Sequence, residues 1–172
     1  AKSFVRRGQL TEAHAQAHID GEQGIGAIPI TTTPANQCRF GALDIDVYDL
    51  DHAALQRKIQ ELKLPLFHCR TKSGGAHLYL FLQDWQPASL IREHLTEMSI
   101  ALGFSGCEVF PKQDEILVER GDLGNFINMP YFNAEQTTRY AFDKNAEALE
   151  LEEFLDSVEQ NRTAMSDLDS LD

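Results

Sequence analysis

The segment CRFGALDIDVY, Cys38–Tyr48, is the strongest constraint on how this chain can fold. It reads as a single core β-strand of uncommon length, and strand side chains alternate between two faces. Leu43, Ile45 and Val47 then point one way, while Asp44, Asp46 and Tyr48 point the other. Residues i and i+2 on one face lie roughly 7 Å apart, close enough for two carboxylates to converge on one or two divalent cations. Without a cation, like charges on a half-buried face repel, and one of them tends to take up a proton. An isolated DxD is also common on solvated strands, so other residues must decide between a wet face and a metal site.

The rest of the chain surrounds that strand with both helices and strands. LTEAHAQAHI predicts a short helix with Thr11 at its start, and IGAIPI a first strand, Ile25 to Ile30, ended by the polar turn TTTPANQ. Asp51 is placed to cap a helix over HAALQRKIQELKL, because its carboxylate can accept the free amides of the first turn. LPLFHCR and GAHLYLFL read as third and fourth strands joined by TKSGG, and PASLIREHLTEMSIALGF as an amphipathic helix closed by Gly103. CEVF, FINMPYF and RYAF follow as short strands, then LELEEFLDSVEQ as an acidic helix. Interspersed rather than alternating elements favour an α+β sheet over a doubly wound parallel one.

Composition bounds the function classes. A chain of 172 residues with a 42% hydrophobic fraction supports one core. No apolar run approaches the roughly 20 residues of a membrane helix, and no signal-peptide layout opens the chain, so a soluble cytoplasmic protein is expected. Cys38, Cys69 and Cys107 lie far apart and form no CxxC pair, which argues against a disulfide framework or structural zinc. The opening Ala1 is read as the start of a fragment of something larger. Of the net charge of −12, residues 143–172 hold −8, with ten acidic and two basic residues. The remaining −4 is small enough for two bound divalent cations to cancel, so bulk charge does not exclude a polyanionic partner. The division expected is a catalytic domain over residues 1–155 and an acidic tail or linker over 156–172.

Two further segments bear on the acids. In RTKSGGAHLYLFL, two glycines interrupt the chain between strands, with Arg70, Lys72 and Ser73 before them and His77 after. Glycines let backbone amides approach an anion, so Gly74 and Gly75 could form a phosphate cradle as readily as a plain hairpin turn. His77 shares its face with Tyr79 and Phe81, opposite the apolar run Ala76, Leu78, Leu80 and Leu82. In CEVFPKQ, Glu108 stands on a short apolar strand where a third carboxylate could complete a metal site, and Lys112 follows.

Taken in order, LDID, GAH and CEV resemble the three motifs of the archaeo-eukaryotic primase superfamily, the catalytic domain of primase-polymerases. The spelling of HIDGEQGIGAIPI, CRFGALDID, RTKSGGAHLYLFL, EVFPKQ and GNFINMPYF is most similar to a bacterial and phage-borne branch found beside helicases and in conflict or reverse-transcriptase-linked systems. The resemblance covers approximately Ala17 to Phe142. It implies an RRM-like mixed or antiparallel sheet core with flanking helices. It implies that Asp44, Asp46 and Glu108 hold two Mg²⁺ or Mn²⁺ ions and that His77 contacts the triphosphate of an incoming nucleotide. Lys72, Ser73, Gly74 and Gly75 would line the same pocket, with Arg70, Lys112, Asn125 and Asn128 as further nucleotide or template contacts.

The activity so implied is metal-dependent, template-directed nucleotidyl transfer on single-stranded DNA, drawing on dNTPs or NTPs, with a helicase or another domain as partner. Gly75 stands where many members carry serine, and no zinc-binding insertion is present. Arg6, Arg7 and Arg39 are the basic residues available to a template strand. Clustered acids with a histidine equally suit a metal-dependent nuclease, and an acidic chain could be a non-catalytic nucleic-acid-binding module. His14, His18, His52, His68 and His94 form no ligand spacing, and Trp85, Phe104, Phe126, Tyr131 and Phe132 read as core or rim residues.

Overall fold

A computed structural model of the chain describes residues 9–171. Along these residues run α1 (Glu12–Ile19), β1 (Gly26–Ala27), β2 (Thr31–Thr32), β3 (Ala35–Ile45), α2 (His52–Glu61), β4 (Phe67–Arg70), β5 (Ala76–Pro87), α3 (Ala88–Leu102), β6 (Glu108–Phe110), β7 (Ile127–Asn128), α4 (Leu151–Gln160) and α5 (Met165–Asp169). The fold is α+β, and every pair of named strands is antiparallel. β3 and β5 form the centre of a five-stranded sheet, with β4 outside β5 and both β2 and β6 along the other edge of β3. β1 and β7 make a separate ribbon.

The period-2 pattern of β3 and β5 sorts their side chains onto two unlike faces. Leu43, Ile45, Ala76, Leu78, Leu80 and Leu82 pack against Leu55 and Ile59 of α2 and Ile91, Leu95 and Met98 of α3. The opposite face, from Ala42, Tyr79 and Phe110, is covered by Ile127, Tyr131, Ala141 and, from α4, Phe154 and Val158. Asp44, His77 and Glu108 belong to this second face.

The helix starts follow the local chemistry. Asp51 Oδ1 accepts from the Ala54 amide at 3.0 Å and caps α2, and Thr11 forms a capping box with His14 on α1. α3 follows β5 without a loop and stops at Gly103.

Several stretches differ from the sequence reading. IGAIPI pairs only at Gly26 and Ala27, because Pro29 has no amide to continue a ladder. FINMPYF likewise pairs only at Ile127 and Asn128, and RYAF reaches the sheet through an isolated bridge between Ala141 and Cys69. Asp46 lies one residue beyond the end of β3 rather than within it.

Where a solvated tail is expected over 156–172, the chain folds back onto the sheet. α4 runs through Gln160, the Thr163 amide donates to Phe81 O at 2.8 Å, and Thr163 O accepts from the Gln83 amide at 2.9 Å. Leu168 of α5 is 1% exposed and joins the α2–α3 side of the core, flanked by Met165 and Leu171. Their three-residue spacing is a helical stripe too short to stand out among five acids and serines. Among the described residues, no helix is long and apolar enough to cross a membrane.

Candidate active-site cleft

Strand register builds the site. Asp44 on β3 is directly opposite His77 on β5, and also directly opposite Glu108 on β6. Cross-strand partners point to the same face, so one rung of the sheet presents imidazole, carboxylate and carboxylate in a row. His77 Nε2 lies 3.5 Å from Asp44 Oδ1. Asp44 is half-buried and Asp46 exposed, so the second acid of the pair keeps its water even in the absence of an ion.

The rung opens into a cleft of about 470 Å³. Asp44, Asp46 and His77 line it together with Arg70, Lys72 and Ser73. The cleft also receives Tyr79, Asn128 and Arg139. Carboxylates and fixed cations therefore share one space large enough for a small polar ligand.

Hydrogen bonds set the histidine. Burial raises the Tyr79 phenol well above its ordinary pKa, so its hydroxyl stays protonated and donates to Asn128 O at 2.7 Å. Its oxygen is then the acceptor for His77 Nδ1–H, at 3.3 Å. Nε2 is the ring atom left for the cleft.

The turn between β4 and β5 has its own close fit. Thr71 N donates to Gly75 O at 3.0 Å and Gly74 N to Thr71 O at 3.1 Å. A Cβ on Gly75 would sit 2.4 Å from the Ile45 carbonyl oxygen, so only glycine lets the turn lie against the end of β3 between the two aspartates. Gly74 occupies the left-handed region at φ +94°. Gly74 and Gly75, expected to line the phosphate pocket, do not line the cleft, and the Gly74 amide is already spent inside the turn. Lys72 and Ser73 line the cleft through their own side of the turn.

Other expected residues are divided. Arg70 is at the cleft, with its Nη1 donating to Thr71 O at 3.2 Å and Thr138 O at 3.1 Å. Asn128 lines it, but Asn125 sits in the exposed loop before β7 and does not. Glu108 stands beside Asp44 on the outer edge of the rung, where its carboxylate pairs with Lys112 Nζ at 2.5 Å, and neither residue lines the cleft wall. Arg39 is five residues along β3 from Asp44, roughly 17 Å away, and donates to Gln83 O at 3.1 Å. Arg6 and Arg7 lie outside the described residues.

Among the described residues, no group of three or more histidine, cysteine, aspartate or glutamate side chains is placed to hold a metal ion. The donor set of Asp44, Asp46 and Glu108 is nonetheless all hard oxygen, the chemistry of Mg²⁺ or Mn²⁺. Such a set would suit an ion only as an open site completed by other oxygen donors.

Arg139 is the cleft residue that sequence reasoning missed. It reaches the site because Arg70 N bonds Tyr140 O at 2.9 Å and Phe142 N bonds His68 O at 2.8 Å, laying residues 139–142 along β4. Its guanidinium lies 5.1 Å from the Phe132 ring centroid. Nothing in its local sequence marks it; only its place in the RYAF segment could have drawn attention to it.

His18 is buried rather than superficial. Its Nδ1 accepts from the Ile25 amide at 3.0 Å and its Nε2–H donates to Pro130 O at 2.8 Å, tying α1 to both chains beside the ribbon. Burial lowers its pKa, in keeping with the neutral ring those two bonds require.

A family model described as the TOTE conflict system, archaeo-eukaryotic primase domain, matches residues 3–167. No curated protein matches the chain at a significant level.

Proposed function

The chain belongs to the archaeo-eukaryotic primase domain family of the TOTE conflict system, and from that premise we propose that it is a template-directed nucleotidyltransferase acting on single-stranded DNA. The family supports a primase-like nucleotidyl-transfer role. The observation that carries the finer reading is the rung His77–Asp44–Glu108, with Asp46 next to it and Arg70, Lys72 and Arg139 lining the same cleft as Asp44, Asp46 and His77.

In this reading a nucleoside triphosphate lies in the cleft. Arg70, Lys72 and Arg139 offset the charge of its phosphates, and Ser73 offers a hydroxyl. His77 donates from Nε2 to a phosphate oxygen; because Nδ1–H remains on Tyr79, the ring must then carry protons on both nitrogens. Asp44 and Asp46, with Glu108 at the rim, would hold two divalent ions. Such ions lower the pKa of the attacking hydroxyl and stabilise charge on the leaving group when bound.

The bond made joins a primer 3′-oxygen, or that of an initiating nucleotide, to the α-phosphorus. The bond broken links that phosphorus to the bridging oxygen, and pyrophosphate leaves with the electron pair while the hydroxyl proton passes to solvent. The side chains act by position and charge rather than as nucleophiles.

Titration of ATP and of dGTP with Mn²⁺ into the wild type and into the Asp44→Ala, Asp46→Ala double variant tests the site. Heat of binding for the wild type and none for the variant is expected; equal heats would remove the metal–nucleotide site. Incubation with single-stranded DNA separates synthesis from the nuclease alternative: primer extension or primer formation supports the proposal, and degradation alone overturns it.

A further inference from the structure

Behind the 71–75 turn lies a buried polar chain that the proposed chemistry does not use. Gln56 and His52 come from α2 and His68 from β4. His68 is 1% exposed and Gln56 8%. His52 Nε2 is 2.8 Å from Gly74 O, His52 Nδ1 is 2.9 Å from His68 Nε2, and His68 Nδ1 is 3.1 Å from Gln56 Oε1. The two imidazoles stack at 5.1 Å between centroids, and Phe142 packs against both, at 4.8 and 4.4 Å.

The direction of these bonds can be worked out from the end that has no choice. A carbonyl only accepts, so His52 Nε2 carries the proton facing Gly74. Burial lowers the pKa of both rings, that of His68 to about 3, and the nearby Arg70 also lowers His52. A neutral His52 therefore has a bare Nδ1, which accepts from His68 Nε2–H. His68 Nδ1 is then bare in turn and needs a donor. The amide of Gln56 has two ends of nearly equal shape, and its nitrogen end must be the one that meets His68. Three bonds thus run one way, from Gln56 to Gly74.

We propose that Gln56, His68 and His52 are positioning residues that hold the 71–75 turn in its phosphate-binding shape, an inference that rests on the nucleotide reading above for its purpose. Gly74 is in the left-handed region, where a glycine peptide can rotate with little steric resistance. Released from His52, its carbonyl is free to turn its negative end toward an incoming phosphate. Bonded to His52, that oxygen stays engaged on α2, while Lys72 and Ser73 keep their places at the cleft.

The test compares the wild type with His52→Phe, which keeps the aromatic stack but has no donor, and with His52→Gln, whose amide nitrogen can still donate to Gly74 O. Backbone hydrogen exchange is read at Thr71 and Gly74, the two amides bonded within the turn, and ATP affinity is read with Mn²⁺ present. In His52→Phe we expect exchange at least tenfold faster at those two amides but not through β5. We also expect about tenfold weaker ATP binding with an unchanged maximal incorporation rate, and recovery of both in His52→Gln. Exchange and affinity equal to wild type, or faster exchange spread over the whole sheet, would overturn the proposal. If the wild type binds no ATP while the turn amides still respond to His52→Phe, the nucleotide reading falls and the turn-holding role stands.

Discussion

Acidification should destabilise this fold through His68, and the size of the effect follows from its burial. His68 is 1% exposed and its pKa is lowered from 6.5 to about 3, mainly by desolvation and secondarily by the adjacent His52. Below pH 6.5 the unfolded chain therefore binds a proton at this position that the folded chain does not. Stability falls as pH falls wherever the unfolded state holds more protons, by about 1.4 kcal/mol per pH unit per group. The contribution is complete above pH 6.5, about 2 kcal/mol of it is gone at pH 5, and the loss levels off as pH passes through about 3. That is a readable fraction of the roughly 5–15 kcal/mol typical of a domain. Urea denaturation of the wild type and of His68→Gln at a series of pH values between 7 and 5 isolates the effect, because the carboxylates are common to both. The wild-type curve should fall more steeply, with the difference growing by about 2 kcal/mol over that range. Parallel curves would mean that His68 takes up its proton without unfolding the protein and that the desolvation argument is wrong.

Three substitutions address the cleft. Asp44→Asn should lower nucleotide incorporation by roughly a hundredfold or more while changing stability by less than about 1 kcal/mol, because it removes one of two acids facing each other across β3 and β6; steady-state kinetics with parallel thermal melts will show both. Gly75→Ala places a Cβ 2.4 Å from Ile45 O, so the turn must shift, at a cost of about 1–3 kcal/mol and with a raised KM for nucleotide, which steady-state kinetics and thermal melts will show. Tyr79→Phe leaves Asn128 O and His77 Nδ1 without the hydroxyl, which should cost about 1–3 kcal/mol of stability and slow incorporation; nitrogen chemical shifts of His77 will report whether its tautomer is still held.

Much of this arrangement was legible in the chain because period-2 alternation leaves a clear trace. The assignment of His77, Tyr79 and Phe81 to one face of β5 and of Ala76, Leu78, Leu80 and Leu82 to the other follows from spacing alone, as does the cap at Asp51. The placement of Asp44 and His77 on one face could be read the same way. What spacing cannot supply is register between strands. That Glu108 meets Asp44, rather than a neighbour one residue away on the opposite face, is decided by how β6 lies along β3.

Arg139 depends on residues 139–142 returning to β4 from nearly seventy positions away, and the relay depends on α2 approaching β4, so neither has a local signature. The short strands are shorter than their composition suggests because Pro29 and Pro130 stop the ladder where β-rich composition continues. The last helix was under-read because five residues carry too little periodicity to stand against an acidic background.

The central claim is that β3, β5 and the turn between β4 and β5 assemble one metal-and-triphosphate pocket, and diffraction from crystals grown with Mn²⁺ and a non-hydrolysable nucleoside triphosphate tests it most directly. Anomalous peaks should lie against the carboxylates of Asp44 and Asp46, with the triphosphate between His77 Nε2 and the side chains of Arg70 and Lys72. Manganese or nucleotide bound elsewhere, with the Asp44 and Asp46 carboxylates bare, would contradict the account.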